Sequence, residues 1–441
     1  MRRKEYCNRH DRIPILTLPG PIQPEVGIRP EARFTRFSVL LGFGVFIRHM
    51  TDSIALYVHW PFCESKCPYC DFNSHVRETI DQARWRAALL AELDHYATAT
   101  QGRRLTSIFF GGGTPSYLSE SQLRELTDGM KELLPWDEVE EVTFECEPGT
   151  LREKKLEILR EIGVTRLSLG VENFDDHILE LNGRAHRGPE IGRAYEFAQG
   201  PGYPQINIDL IAGMVEETEE NWKACIQRTR EMAPDSVTIY QMEVPYNTGI
   251  YKQMKEDGKL TAPVADWDTK RRWVNDAYAA LEQDGYTVSS AYTAVKDKAR
   301  TSFVYRDRLW AGADLLSLGV ASFGHIGGTH YQNQHDFAPY IECIDRGELP
   351  VYRALTPTND ERLIREFILQ MKLGHLNFSY FNEKFGTNAA ERFAKPLKTI
   401  QDWGFATVEG DDLQLNREGL LQVDRLLHEF FLDEHRNARY A

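Results

Sequence analysis

The sequence lacks several features that mark common classes of protein. Its apolar stretch at residues 37–46 is too short to cross a bilayer, and there is no internal repeat or low-complexity tract. No concentrated basic patch is present, and 66 acidic against 52 basic residues give a net charge of −14. These absences argue against a membrane span and against a nucleic-acid-binding surface, so we expect a globular protein that acts on a small molecule.

A disulfide framework is also missing. Seven cysteines are an odd number, and three of them cluster as Cys63-x3-Cys67-x2-Cys70. In a chain of this size, clustered thiols indicate a metal centre in a reducing compartment rather than cross-links. We therefore predict a cytoplasmic location.

The cysteine cluster has one ligand fewer than a closed structural metal site. Three thiolates fill three corners of a cubic [4Fe–4S] cluster and leave one iron open to a substrate or cofactor. Asp71 stands where a fourth cysteine would follow Cys70. A zinc ion that takes a distant histidine or cysteine as its fourth ligand is the alternative.

Short apolar runs alternate with amphipathic helical patterns from Ile54 onwards. The six strands in this alternation predict parallel pairing through crossover helices, as in a full or partial α/β barrel. In such a barrel the chemistry gathers at the carboxyl ends of the strands. The candidate residues at those ends are His59, Gly111, Gly112, Gly113, Glu145, Glu172, Asp209, Tyr240 and Gln241.

The length of 441 residues fits one large α/β domain followed by a smaller one. Residues 1–49 are polar and proline-broken for most of their length, and we expect a disordered extension or a mis-called start site there. The barrel is predicted over 50–300 and a glycine-rich segment close to the site over 301–350. Residues 351–441 predict a mainly helical, winged-helix-like domain.

Six motifs occur in the order in which they appear in one known family. They read YVHWPFCESKCPYCDF, FFGGGTPSYL, ECEPGT, LSLGVENF, LNGRAH and NIDLIAG. On these motifs the chain resembles the radical S-adenosylmethionine (SAM) superfamily, and within it oxygen-independent coproporphyrinogen III oxidase and the related heme chaperones. The resemblance extends over residues 54 to about 435.

The resemblance implies roles for individual residues. Cys63, Cys67 and Cys70 match the ligands of the cluster, whose open iron would chelate the methionine end of SAM. The remaining matched positions, which would contact SAM, are Tyr57, His59, Tyr69, Gly112, Gly113, Thr114, Glu145, Glu172, Arg184, Asp209 and Gln241. Four of these positions are associated in the family with a second SAM, so the resemblance leaves open whether one or two molecules bind.

The resemblance also implies a chemistry. In the family a reduced [4Fe–4S] cluster cleaves SAM to a 5′-deoxyadenosyl radical, which takes a hydrogen atom from a substrate. We therefore expect an oxidoreductase with a porphyrinogen-like substrate and a reductant such as flavodoxin or ferredoxin. With coproporphyrinogen III, hydrogen loss at a propionate would lead to decarboxylation and a vinyl group.

Two departures keep other branches of the family open. The stretch CDFNSH replaces the Cys-Gly-Cys pattern of the oxidase and is similar to the heme chaperones. The heme motif of those chaperones is replaced by YRDRLW, which puts Tyr305 at the position of its candidate heme ligand. Heme binding and delivery, with His325 or His330 as further candidate ligands, is one alternative, and a SAM-dependent methyltransferase is another.

Structural roles are an alternative for some of these residues. Glu145 and Asp209 would then be buried ion-pair partners of Arg184. Aromatic residues expected in the core rather than at a cofactor are Tyr305, Trp310 and Phe323.

Overall fold

The computed structural model describes residues 52–76, 82–259 and 263–436. The extension expected over residues 1–49 therefore lies outside the described residues. None of the helices in the described ranges combines the length and the apolar character needed to cross a bilayer.

Strands and helices alternate through the first two thirds of the described chain. The strands are β1 (Ser53–Trp60), β2 (Arg104–Gly112), β3 (Glu141–Cys146), β4 (Arg166–Glu172), β5 (Gln205–Ala212), β6 (Ser236–Gln241), β7 (Thr287–Val288), β8 (Thr293–Val295), β9 (Asp314–Leu318), β10 (Phe323–Ile326), β11 (Thr329–Asn333), β12 (Val351–Leu355), β13 (His375–Asn377), β14 (Ala406–Glu409) and β15 (Asp412–Leu415).

The α-helices of the described residues follow the same numbering in chain order. They are α1 (Gln82–His95), α2 (Ala97–Thr100), α3 (Glu120–Leu133), α4 (Glu153–Glu161), α5 (Asp176–Leu181), α6 (Gly188–Gln199), α7 (Glu219–Met232), α8 (Gly249–Glu256), α9 (Trp267–Gln283), α10 (Val304–Trp310), α11 (Phe337–Asp345), α12 (Asn359–Met371), α13 (Phe378–Phe385), α14 (Ala389–Arg392), α15 (Ala394–Asp402), α16 (Arg417–Leu421) and α17 (Val423–Leu427).

The six predicted strands form the centre of one open sheet. Strands β1 to β6 pair in parallel and in chain order. The whole sheet of the described chain has the order β12-β11-β10-β9-β1-β2-β3-β4-β5-β6-β8-β7. Since β7 and β12 end the sheet without pairing to each other, the barrel is partial, as the sequence allowed. The α/β prediction is confirmed.

Burial of both faces explains why these segments become strands. In β2, seven consecutive residues after Arg104 are buried, as expected for a parallel strand covered on two sides. On the outer face Val58 and Trp60 join the main core together with Trp85 and Leu89 of α1. Helix α3 begins at a serine cap, where the Ser119 side chain accepts from Gln122 N and the Gln122 side chain accepts from Ser119 N.

Residues 301–350, which the sequence set apart as a separate segment, contribute to the same sheet. Strand β9 pairs in parallel with β1, and β10 and β11 continue the sheet as an antiparallel hairpin. Strand β12 extends it further, so the sheet continues past residue 350. The expectation of a core position was wrong for Phe323, which is 52% exposed, because it begins the hairpin strand β10 on its solvent side.

The C-terminal helices α12 to α17 and the antiparallel strands β13, β15 and β14 form a second unit with its own core. Six buried phenylalanines belong to this core, and the Phe367 ring centroid lies 4.3 Å from that of Phe393 and 5.2 Å from that of Phe381. The unit contacts the barrel sheet near its open side, where Ala291 N donates to the Lys372 carbonyl. This arrangement agrees with the predicted winged-helix-like domain.

Candidate functional site

The three clustered cysteines lie on the loop that follows β1. Apolar anchors hold this loop, since Phe62 is buried and stacks on Phe337 with 5.6 Å between ring centroids. The loop returns on itself, with Cys63 N donating to the His75 carbonyl at 3.1 Å and His75 N donating to the Pro61 carbonyl at 2.7 Å. The chain therefore fixes both ends of the loop and presents the thiols between them.

The thiols of Cys63, Cys67 and Cys70 are free and partly exposed. Three thiolates are one fewer than a closed tetrahedral zinc site requires, whereas they can fill three corners of a [4Fe–4S] cluster and leave one iron open.

His59 connects β1 to the cysteine loop and to the turn after β2. Its Nε2 lies 3.1 Å from the Asn73 carbonyl, and its Nδ1 lies 3.3 Å from the Tyr57 hydroxyl. Burial lowers the pKa of His59 to about 4, so the ring is neutral at pH 7. Gly112 packs against this ring with φ of +104°, and a methyl group there would come within 2.3 Å of His59 Nδ1. Glycine is required for this close approach.

The glycine turn fastens the cysteine loop to the sheet. Gly113 N donates to the Trp60 carbonyl at 2.6 Å, and Thr114 N donates to the Phe62 carbonyl at 2.8 Å. The resemblance implied that the backbone of this turn contacts SAM. In the structure these two N–H groups are used within the protein, because the turn must hold the loop that carries Cys63.

Three carboxylates project from the carboxyl ends of neighbouring strands. Glu145 accepts from Gly112 N at 3.1 Å. Asp209 accepts from the Ser168 hydroxyl at 2.7 Å and from the Asn207 amide at 2.9 Å. Burial, with repulsion from the neighbouring carboxylates, raises the pKa of Glu145 to about 8. Burial also raises the pKa of Asp209, although its hydrogen bonds oppose that rise. A set of neighbouring carboxylates favours a ligand that carries positive charge or hydroxyl hydrogen-bond donors.

Glu172 is held in a strained backbone conformation. The register between β4 and β5 shifts at Gly170 and Glu172, and Glu172 has a φ of +62°. A non-glycine residue in this region costs on the order of 1 kcal/mol. The bulge turns the Glu172 side chain towards Arg184, with 3.7 Å between Oε1 and Nη1. Burial raises the pKa of Glu172 to about 7, and the charge of Arg184 opposes that rise.

Arg184 is the cation of the site. Its Nη1 lies 3.7 Å from Cys67 Sγ, and its Nη2 donates to the Gly170 carbonyl at 2.8 Å. Its Nε is buried and has no hydrogen-bond partner among the described residues, so one donor remains for a ligand. The alternative in which Glu145 and Asp209 pair with Arg184 was wrong, because both accept hydrogen bonds from other groups and Glu172 is the ion-pair partner.

Two predicted residues have different surroundings. Tyr69 packs against a small buried apolar cluster of Ile178, Met214 and Met242. Gln241 is not joined to the carboxylate group. Its Nε2 donates to the Leu421 carbonyl at 2.9 Å, which places this side chain at the contact with the C-terminal unit.

One buried pair beside the site received no role from the sequence. His186 is fully buried, with Nδ1 2.6 Å from Glu147 Oε1 and Nε2 3.1 Å from the Val171 carbonyl. This pair fixes the loop that carries Arg184. Both residues lie within the motifs ECEPGT and LNGRAH, but only the fold shows that the two motifs touch.

The residues present fit a [4Fe–4S] cluster with SAM beside it. The loop offers three thiols, Arg184 keeps an unpartnered buried donor for a carboxylate, and the acidic group suits the cationic and hydroxyl-bearing parts of SAM. A partial parallel barrel with such a loop after its first strand defines a radical SAM protein.

Comparison with known proteins agrees with this class. Residues 57–228 match the radical SAM superfamily, and residues 358–421 match the HemN C-terminal domain. The heme chaperone HemW of Escherichia coli is 36% identical over 276 residues, which cover 62% of this chain and 70% of the chaperone. HemW of Bacillus subtilis is 29% identical over 371 residues, which cover 83% of this chain and 96% of that protein.

The solved structure of coproporphyrinogen III oxidase (HemN) from Escherichia coli superposes with a TM-score of 0.76 at 25% identity, covering 88% of this chain and 92% of that enzyme. The chain belongs to the radical SAM family that contains the HemW heme chaperones and the oxygen-independent coproporphyrinogen III oxidases.

Proposed function

We propose that this protein binds a [4Fe–4S] cluster and SAM and acts as an oxidoreductase that removes a hydrogen atom from a tetrapyrrole-like substrate. The observation that carries the proposal is the convergence of three free thiols, one arginine and three carboxylates at one edge of the sheet. If the three carboxylates served only in structural ion pairs, each of them would instead lie beside its own cation.

Each group has a defined task in this proposal. The thiols of Cys63, Cys67 and Cys70 hold the cluster, which when bound supplies the electron that cleaves SAM. Arg184 pairs with the carboxylate of SAM through the free Nε of its guanidinium. The strand-end carboxylates accept hydrogen bonds from the ammonium group and the ribose hydroxyls of SAM. His59 and the glycine turn keep the loop in place.

Exposed aromatic side chains support a large flat substrate. Phe72 is 55% exposed on the cysteine loop, and Tyr240 is 49% exposed at the end of β6. Aromatic rings on the rim of a polar site offer stacking surfaces for a macrocycle. The relatives named as coproporphyrinogen oxidases make a porphyrinogen the first substrate to test, with flavodoxin or ferredoxin as the electron donor.

The test uses protein purified and reconstituted without oxygen. We expect about four irons per chain, an EPR spectrum of the reduced protein that changes with SAM, and release of 5′-deoxyadenosine. Porphyrinogen should increase that release in the wild type and less in Phe72→Ala and Tyr240→Ala. Zinc in place of iron, or a spectrum indifferent to SAM, would contradict the proposal.

Heme binding and delivery is the second candidate function. It is favoured by the 36% identity to a HemW chaperone, against 26% for the coproporphyrinogen oxidase of Escherichia coli. Heme titration followed at the Soret band decides between the two. Saturable binding that is weakened in Tyr305→Phe supports the chaperone function, whereas failure to saturate excludes it.

A further inference from the structure

A second polar cleft lies between the β10–β11 hairpin and helix α12. Its cavity volume is about 40 Å³, far below that of a whole small-molecule site but enough for one small polar group. The barrel contributes His325 and Asp314 to its lining, and the C-terminal unit contributes Arg362, Arg365 and Glu366. The cleft is therefore shared by the two units.

This cleft is remote from the cysteine loop. His325 pairs with Leu315 of β9, and Leu315 pairs with Ala55 near the start of β1. The cysteines follow the other end of β1, an eight-residue strand that spans about 26 Å. The two sites lie at opposite ends of the sheet.

The acidic groups of the cleft already have partners. Asp314 accepts from Arg103 Nη2 at 2.6 Å, and both side chains are buried. Glu366 accepts from Lys384 Nζ at 2.8 and 2.9 Å and from the Tyr380 hydroxyl at 2.5 Å. These contacts use the negative charge of the cleft internally.

The two arginines of α12 have no such partners. Neither the Arg362 nor the Arg365 guanidinium makes a hydrogen bond or ion pair with another side chain or carbonyl of the described residues. Each guanidinium presents a planar set of N–H donors that match the oxygens of phosphate or carboxylate. Asp314 and Glu366 attract the charge of Arg365, but both carboxylates are bonded to other cations. The N–H donors of the two guanidinium groups therefore remain available to a ligand.

A buried histidine adds an unused polar atom. His325 is 7% exposed, and its Nδ1 is buried without a hydrogen-bond partner among the described residues. The His330 ring lies 4.2 Å away, and burial, with the positive charge of Arg365, lowers the pKa of both rings. Two neutral imidazoles beside two arginines are a poor site for a metal cation but can donate to an anion.

We propose that this cleft binds an oxyanion, the phosphate or carboxylate group of a small molecule, held by Arg362, Arg365 and the Nδ1–H of His325. The shared chemistry is bidentate pairing of guanidinium with two oxygens. An anion there would join the C-terminal unit to the barrel, because it would pair with the two arginines on one side and accept from the Nδ1–H of His325 on the other.

Isothermal titration of the full chain with inorganic phosphate, pyrophosphate and citrate, at constant ionic strength, tests the proposal. We expect saturable binding of at least one of these anions. A preference for phosphate or pyrophosphate identifies a phosphoryl ligand, and a preference for citrate identifies a carboxylate ligand. Affinity should fall at least tenfold in Arg362→Gln and Arg365→Gln.

Arg193→Gln is the matched control, because Arg193 is exposed on α6 and its nearest acidic partner is 3.9 Å away. It should bind as the wild type does. Circular dichroism shows whether each variant folds, and Arg365→Lys retains the charge while losing the bidentate geometry, so it should bind with intermediate affinity.

Three results would overturn the proposal: no saturation by any of the three anions, unchanged affinity in both arginine variants, or equal weak binding of all anions that depends only on ionic strength. Cys63→Ala tests the location, since it alters the cluster site alone. Anion binding should persist in that variant, and its loss would place the anion at the cysteine loop instead.

Discussion

Arg184 places its guanidinium beside the sulfur of Cys67, with 3.7 Å between Nη1 and Sγ. The same Nη1 is 3.7 Å from Glu172 Oε1, and Nη2 donates to the Gly170 carbonyl at 2.8 Å. One side chain therefore joins the cysteine loop to the strained end of β4. A substitution of Arg184 can therefore test cofactor binding while the three predicted cysteine ligands stay unchanged.

Replacing Arg184 with glutamine should weaken SAM binding without removing iron. A lost hydrogen bond to a charged group costs about 1.5–3 kcal/mol, which corresponds to a roughly 10- to 150-fold lower affinity. Equilibrium binding of SAM to the reconstituted protein measures the change. Arg193→Gln, on an exposed helix face, serves as the control, and an unchanged SAM affinity in Arg184→Gln would refute the role given to this residue.

A methyl group at Gly113 should disturb the cysteine loop. It would lie 2.7 Å from the Trp60 carbonyl oxygen and 2.8 Å from that of Phe62, and backbone atoms cannot move aside cheaply. We expect Gly113→Ala to lower the free energy of unfolding by about 1–3 kcal/mol and to reduce the retained iron. Thermal unfolding and iron analysis test this.

Gly192→Ala is the opposite case and the control for Gly113→Ala. Gly192 lies within α6, and a methyl group there would meet nothing within 4 Å. Alanine should stabilise the helix by about 0.5–1 kcal/mol and leave the iron content unchanged. A loss of iron in this variant would show that the assay reports general instability.

Replacing any one of Cys63, Cys67 and Cys70 with alanine should remove most of the iron and sulfide from the reconstituted protein. Each replacement takes away one of the three thiolates that would hold the cluster. Cys343→Ala, on α11, should retain the wild-type content. Iron and acid-labile sulfide are measured after anaerobic reconstitution. Equal losses in all four variants would contradict the assignment of the ligands.

Glu92 should make the stability of the fold depend on pH. It is fully buried and accepts from Gly319 N at 2.8 Å and from the Asn333 amide at 2.5 Å. Burial raises its pKa to about 7, and these hydrogen bonds limit the rise. A raised carboxyl pKa favours the protonated folded state, so the stabilisation is complete below the ordinary pKa of about 4.3 and is lost as the pH rises towards 7.

Glu92→Gln removes this titration. The free energy of unfolding of the wild type should therefore decline relative to the variant between about pH 4.5 and 7, by at most about 1.4 kcal/mol per pH unit. Denaturant unfolding at several pH values measures the difference. A constant difference between the two proteins across this range would show that Glu92 stays ionised in the folded state.

The sequence by itself determined the central strands and the shared loop of the three clustered cysteines. Segments such as β2 are strands because they are covered on both faces, and that requirement is visible as a run without charged residues after Arg104. The three cysteines are close in the chain, so their shared loop did not depend on the rest of the fold. Local patterns of this kind are open to prediction.

Only the tertiary structure decided which polar groups meet. The pairing of Arg184 with Glu172 depends on a bulge between β4 and β5, and the bond between His186 and Glu147 joins segments 39 residues apart. The hairpin β10–β11 continues the main sheet instead of forming a separate segment, because β9 pairs with the free edge of β1. Such contacts arise from strand order and register, which no local pattern of residues specifies.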